Sequence, residues 1–115
     1  MRIEIRGRNV EVTDELREHV HKRFARIGRQ LSDLARLEVE LMEERNPSIR
    51  DNQVCEAHLH VKGAHLTATE ASPEMLGSIK ACSEDVARQV KRNRELRRRR
   101  WQSRRRAARL RGRAA

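Results

Sequence analysis

The chain has 115 residues, a formal net charge of +10, 38% charged side chains and only two aromatic residues, Phe24 and Trp101. That length fits a single domain, and the lack of aromatics argues against an RNA-recognition-motif sheet or an OB-fold, which stack bases on aromatic side chains. No apolar run approaches the roughly 20 residues of a membrane span. Two distant cysteines and no apolar signal segment predict a reduced, cytoplasmic protein without a disulfide.

Ile3 and Ile5 alternate with Arg2, Glu4 and Arg6, which predicts a half-buried first strand. Gly7-Arg8-Asn9 breaks that pattern, and Val10-Glu11-Val12 leads to Thr13-Asp14-Glu15, a capping threonine followed by two first-turn acids. A helix is predicted from about Asp14. Leu16, Val20, Phe24, Ile27 and Leu31 recur at helical spacing, with Lys22, Arg26 and Arg29 on the other face. Gly28 in this run costs about 1 kcal/mol relative to alanine and is a point where the last turn frays.

Leu37, Val39 and Leu41 alternate with Glu38 and Glu40 as a second strand. Asn46-Pro47-Ser48 and Asp51-Asn52 are turn chemistry, so residues 44–53 form a loop. Cys55, Ala57, Leu59 and Val61 alternate with Glu56, His58, His60 and Lys62. Gly63-Ala64 then turns the chain into a fourth strand through Leu66-Thr67-Ala68-Thr69.

Ser72-Pro73-Glu74 reads as the start of a second helix, with a capping hydroxyl, a proline suited to the first helical position and a carboxylate that complements the dipole. Met75, Ile79, Cys82, Val86 and Val90 form one apolar stripe, and the same phase then reaches Asn93 and Arg97, which resist burial. The helix therefore leaves the protein body near Val90 to Asn93. The predicted fold is α+β, β-α-β-β-β-α, a four-stranded sheet with both helices on one face and the other face wet, followed by a basic tail. The body is assigned residues 1–93 and the arginine-rich tail residues 94–115. Like charges at i and i+4 and the lack of an apolar face predict that the free tail is flexible or only partly helical.

Charge is segregated along the chain. Residues 88–113 hold 14 of the 27 basic residues and one of the 17 acids, so the remainder is net acidic. Such segregation points to an anionic partner. Lys80, Lys91, Arg94 and Arg98 gather on one flank of the second helix and Arg88 and Arg92 lie on its outer face. Arginine dominates, which favours forked contacts to phosphate.

Other constellations are weaker. His58, His60 and His65 meet on the wet face, but no cysteine or suitably spaced carboxylate completes a tetrahedral metal site, so no metal is assigned and the histidines are read as facing solvent or RNA phosphate. Cys55 and Cys82 read as small core residues. No Gly-rich phosphate loop, serine elbow or His/Cys pair is present, so no catalytic residue and no cofactor are assigned.

Over residues 1–94 the chain resembles the ribosome hibernation promoting factor family, also called ribosome-associated inhibitors or the S30AE family. The resemblance is carried by Gly7-Arg8-Asn9, Glu11-Val12-Thr13-Asp14, Leu16-Arg17, Lys22-Arg23-Phe24, Glu74-Met75 to Ile79, and Arg88-Gln89-Val90-Lys91. It implies a fold similar to a double-stranded-RNA-binding domain, seated in the decoding channel of the small ribosomal subunit, where it excludes messenger and transfer RNA. The implied partners are the small subunit and whole ribosome through 16S rRNA, with no membrane and a monomeric free protein. The implied rRNA ladder is Arg88, Lys91 and Arg94, supported by Lys22 and Arg23. Together with the basic residues phased onto the helices, the candidate contacts are Lys22, Arg23, Arg26, Lys80, Arg88, Lys91, Arg92, Arg94, Arg97 and Arg98. Leu76 and Lys80 stand where the family usually has tyrosine and aspartate, and the separate dimerisation domain of long-form relatives is expected to be missing. Two alternatives remain: a general RNA-binding or ribosome-assembly protein on the same fold, and a module whose tail docks on acidic lipid or protein.

Overall fold

Alternating apolar residues in four segments build one sheet, and two amphipathic segments cover it. The computed structural model describes residues 1–114, with side chains through Gly112. Its elements are β1 (Arg2–Arg8), α1 (Asp14–Gly28), β2 (Arg36–Glu43), β3 (Gln53–Val61), β4 (Ala64–Ser72) and α2 (Met75–Ala114). The sheet order is β1-β2-β3-β4. β1 and β2 are parallel, with Ile3 opposite Leu37, which requires a crossover that α1 supplies. β2–β3 and β3–β4 are antiparallel hairpins.

The core lies between the sheet and the helices. Phe24, Leu37, Leu41, Leu59, Ile79 and Val86 are fully buried, and Ile3, Ile5, Leu16 and Leu31 pack at its margin. Each such aliphatic or aromatic side chain contributes about 1.5–3 kcal/mol by leaving water. Thr13 caps α1, its Oγ1 accepting from the Leu16 N–H at 3.2 Å. α1 ends at Gly28, and Leu31 joins the core from the following turn. Gly63, at φ 77, makes the left-handed corner of the β3–β4 hairpin. Gly7 is required for space, because a Cβ there would overlap the Val10 carbonyl oxygen.

Two boundaries differ from expectation. Ser72 does not open α2. It is the last residue of β4, paired with Gln53, and the first helical bond runs from the Ser78 N–H to the Glu74 carbonyl. Sheet pairing holds Ser72, while its hydroxyl still faces the helix start, accepting from the Glu74 N–H at 3.4 Å, donating to the Glu74 carbonyl at 2.6 Å and lying 2.8 Å from Ser78 Oγ. At the other end the buried stripe stops at Val90, yet α2 continues unbroken to Ala114. The arginine-rich segment is thus the outer half of one 40-residue helix where a flexible or partly helical tail is expected. No proline or glycine interrupts residues 78–111, and arginine, alanine, leucine and glutamine all favour helix. Of the tail, Ala115 and the side chains of Arg113 and Ala114 lie outside the described residues. The extended helix gives the molecule a long dimension of 69 Å against 29 and 17 Å.

Candidate nucleic-acid interface

α1 and α2 pack side by side on the sheet, and their adjoining flanks leave a groove. Its floor is apolar: Ile27 from α1 with Ala87 and Val90 from α2. Its α1 wall carries Lys22, Arg23 and Arg26, and its α2 wall carries Lys91 and Arg94. Two connected hollows of about 230 and 280 Å³ share Arg26, Ile27 and Ala87. Two helices far apart in sequence thereby present one cationic trough.

These cations are available. Among the described residues, no ion pair engages Lys22, Arg23, Arg26, Lys91, Arg92, Arg97 or Arg98. All of them are exposed. Arg88 sits on the outer ridge of α2, 4.0 Å from Asp85, a surface contact too loose to neutralise it. Lys80 is exposed about two turns before Ala87 and does not line the groove. Glu84 lies in the N-terminal hollow beside Lys22 and Arg23 and lowers the potential there.

Arg94 and Arg97 have a second task. Arg94 Nη2 donates to Gln30 Oε1 at 2.9 Å, tying α2 to the turn after α1. The Arg97 guanidinium lies over the β3–β4 turn, where a Cβ on Gly63 would come within 2.8 Å of it. Arg94 and Arg97, with Lys62 and His60, rim a further hollow of about 580 Å³ floored by Leu31, Ala35, Leu66 and Val90. Body contacts therefore extend one turn beyond Asn93, and periodicity could not show this because both arginines reach back along the surface. Arg98 starts the exposed rod.

The open face of the sheet has another character. Cross-strand register aligns Arg2, Arg36, His60 and His65 in one row, and Glu4, Glu38, His58 and Thr67 in the next. Arg2 meets Glu4 and Arg36 meets Glu38, each at 3.4 Å, so this face largely neutralises itself. His58 Nδ1 lies 3.2 Å from His65 Nε2, His58 Nε2 lies 2.6 Å from Glu56 Oε1, and His60 stacks on His65 at 4.4 Å. The imidazole nitrogens of His58 and His65 meet each other and a glutamate, and among the described residues no cluster is arranged to hold a metal ion. None of the helices is long and apolar enough to cross a membrane.

The family described as Sigma 54 modulation protein / S30EA ribosomal protein matches residues 3–98. The chain is 32% identical over 95 residues to the ribosome hibernation promoting factor of Salmonella typhimurium, covering 83% of this chain and 95% of the relative. It is 35% identical over 91 residues to the ribosome hibernation promotion factor of Deinococcus radiodurans, covering 76% of this chain and 46% of that longer relative. Among solved structures, the N-terminal domain of Thermus thermophilus Protein Y superposes with a TM-score of 0.70 at 26% identity, covering 80% of this chain and 98% of that one. A ribosomal subunit interface protein from Coxiella burnetii shares the fold, with a TM-score of 0.67 at 15% identity, 83% of this chain and 99% of that one.

Proposed function

The chain belongs to the Sigma 54 modulation protein / S30EA ribosomal protein family, and from that premise we propose that it is a ribosome hibernation factor of the cytoplasm. It binds the small subunit and the whole ribosome as a monomer through 16S rRNA, and occupies the decoding channel so that messenger and transfer RNA are excluded. The observation that carries this reading is the trough between α1 and α2, where Lys22, Arg23, Arg26, Lys91 and Arg94 converge. Phosphate oxygens accept charge-assisted hydrogen bonds from these groups, and the arginine forks fix the direction of approach. Arg88 and Arg92 on the outer ridge, with Lys80, Arg97 and Arg98, extend the contact along α2. The mechanism is occlusion, with no chemical step.

Occlusion predicts mutual exclusion. Adding the protein to a reconstituted translation system lowers output, and excess messenger with decoding-site transfer RNA displaces it from empty ribosomes, each ligand weakening the other by the same factor. The triple reversal Lys22→Glu, Arg26→Glu, Lys91→Glu removes inhibition while leaving thermal unfolding unchanged, since all three are exposed and form no ion pair among the described residues. Simultaneous binding of the protein and transfer RNA with neither affinity altered would falsify occlusion, and would favour a general RNA-binding or assembly role.

A further inference from the structure

Beyond Arg97 the outer half of α2 stands clear of the body, and its composition suits a different ligand geometry from the trough. No acid follows Glu95. At 3.6 residues per turn, Leu96, Ser103, Ala107 and Leu110 share one narrow stripe, and the arginines from Arg98 to Arg111 occupy most of the remaining circumference. A flat anionic surface would engage one side of such a rod and leave the rest unmatched. Phosphates on two facing walls engage nearly all of it.

Trp101 lies roughly opposite the arginine-free stripe and is 58% exposed. The Arg105 guanidinium sits over its ring, 4.7 Å from the centroid, and holds the indole against the rod. Ala108 and Gly112 follow on the same edge at i+7 and i+11, and nothing stands within 4 Å of where a Cβ on Gly112 would be. That edge is therefore slim, with arginines on either side and a single stacking platform at its middle.

We propose that residues 98–112 form a second nucleic-acid site, distinct from the trough, which inserts into the major groove of base-paired RNA at a bulge and stacks Trp101 on the unpaired base. The uninterrupted major groove of A-form RNA is too narrow for a helix, and unpaired nucleotides widen it. A single-stranded ligand requires several aromatic platforms in succession, and this rod has one. An acidic membrane requires an apolar face, and Leu96 and Leu110, 14 positions apart, do not make one. The site is independent of where the body binds.

Trp101 is the only tryptophan of the chain, so its emission reports from the proposed site alone. The test uses the full-length protein carrying Lys22→Glu, Arg26→Glu and Lys91→Glu, which removes the trough's contribution. Its probes are a hairpin RNA with a three-nucleotide bulge, the same hairpin fully paired, an unstructured oligonucleotide of equal length, and phosphatidylglycerol vesicles. The bulged hairpin is expected to bind at least tenfold more tightly than the other RNAs and to quench Trp101 emission by half or more. Replacing Arg104, Arg105 and Arg109 by glutamine should lower the slope of log affinity against log salt by about 2–3. Trp101→Ala, followed by anisotropy of labelled RNA, should lose the preference for the bulge and keep that slope. Equal affinity for the three RNAs, unquenched emission in the bound state, or a response to vesicles alone each overturns the proposal. None of these outcomes bears on the competition with transfer RNA, so the two readings fail separately.

Discussion

Two thiols meet in the core. Cys55 on β3 and Cys82 on α2 are both fully buried, and Cys82 Sγ donates to the Ala68 carbonyl at 3.6 Å. The hydrogen bond with Cys82, reinforced by burial, pushes the Cys55 thiol well above its ordinary 9.0. An acid held neutral in the fold contributes stability that is complete below its unfolded value and is lost as pH rises beyond it, because only the unfolded chain releases the proton. Urea denaturation should therefore give constant stability from Cys55 up to about pH 9, then a fall of up to about 1.4 kcal/mol per pH unit. Cys55→Ala should flatten that decline, and the absence of tyrosine keeps the alkaline range uncluttered. An equally steep decline in the variant would show that Cys55 does not carry the effect. Each cysteine is legible in the sequence as a core residue from its own periodicity. Their meeting is not, because it depends on how the α2 stripe sits across β3.

At the scale of the element, α2 separates two properties that hydrophobic phase alone runs together. The stripe from Met75 to Val90 marks where burial ends, and that end was legible because Asn93 and Arg97 fall next in phase. The end of the helix is set by backbone propensity, which the alanines and arginines sustain to Ala114. At the other end, Ser72 closes β4 opposite Gln53, so its hydroxyl reaches the Glu74 N–H from the strand and α2 itself begins at Met75. The interhelical trough was partly legible, since Lys22 and Lys91 each phase outward. That they share one groove is a consequence of helix packing, which no single-helix period contains. The outer half of α2 has like charges at i and i+4, such as Arg100 with Arg104 and Arg105 with Arg109, each disfavouring helix by a few tenths of a kcal/mol. Far-ultraviolet circular dichroism should accordingly show helicity rising as salt screens these pairs. Ser103→Pro, costing about 3 kcal/mol within a helix, should remove much of the distal signal and leave the melting of the body where it was. A lowered melting temperature would mean that the rod supports the body.

The whole molecule carries its charge on one side. The open sheet face pairs Arg2 with Glu4 and Arg36 with Glu38, whereas the trough and rod hold cations with few partners. On the proposed reading, this asymmetry turns the helices toward RNA and the sheet away. If 6–10 of the cations touch phosphate, ribosome affinity should fall about 10³ to 10⁵-fold between 50 and 200 mM salt, through release of condensed counterions. The orientation sets where substitutions matter. Arg88→Gln with Arg92→Gln should reduce the salt slope by about 1–2, because both side chains project from the outer ridge of α2. Glu40→Gln on the open face raises the net charge by one where the double substitution lowers it by two, yet should leave the slope unchanged and shift affinity by less than about threefold, since charges beyond a Debye length of about 8–10 Å are screened. Dependence on net charge alone would make Glu40→Gln tighten binding by about half of what the double substitution loses. Such a gain would show that the protein binds as a diffuse cation and not through its helical side, and the trough would then lose its claim to be the contact surface.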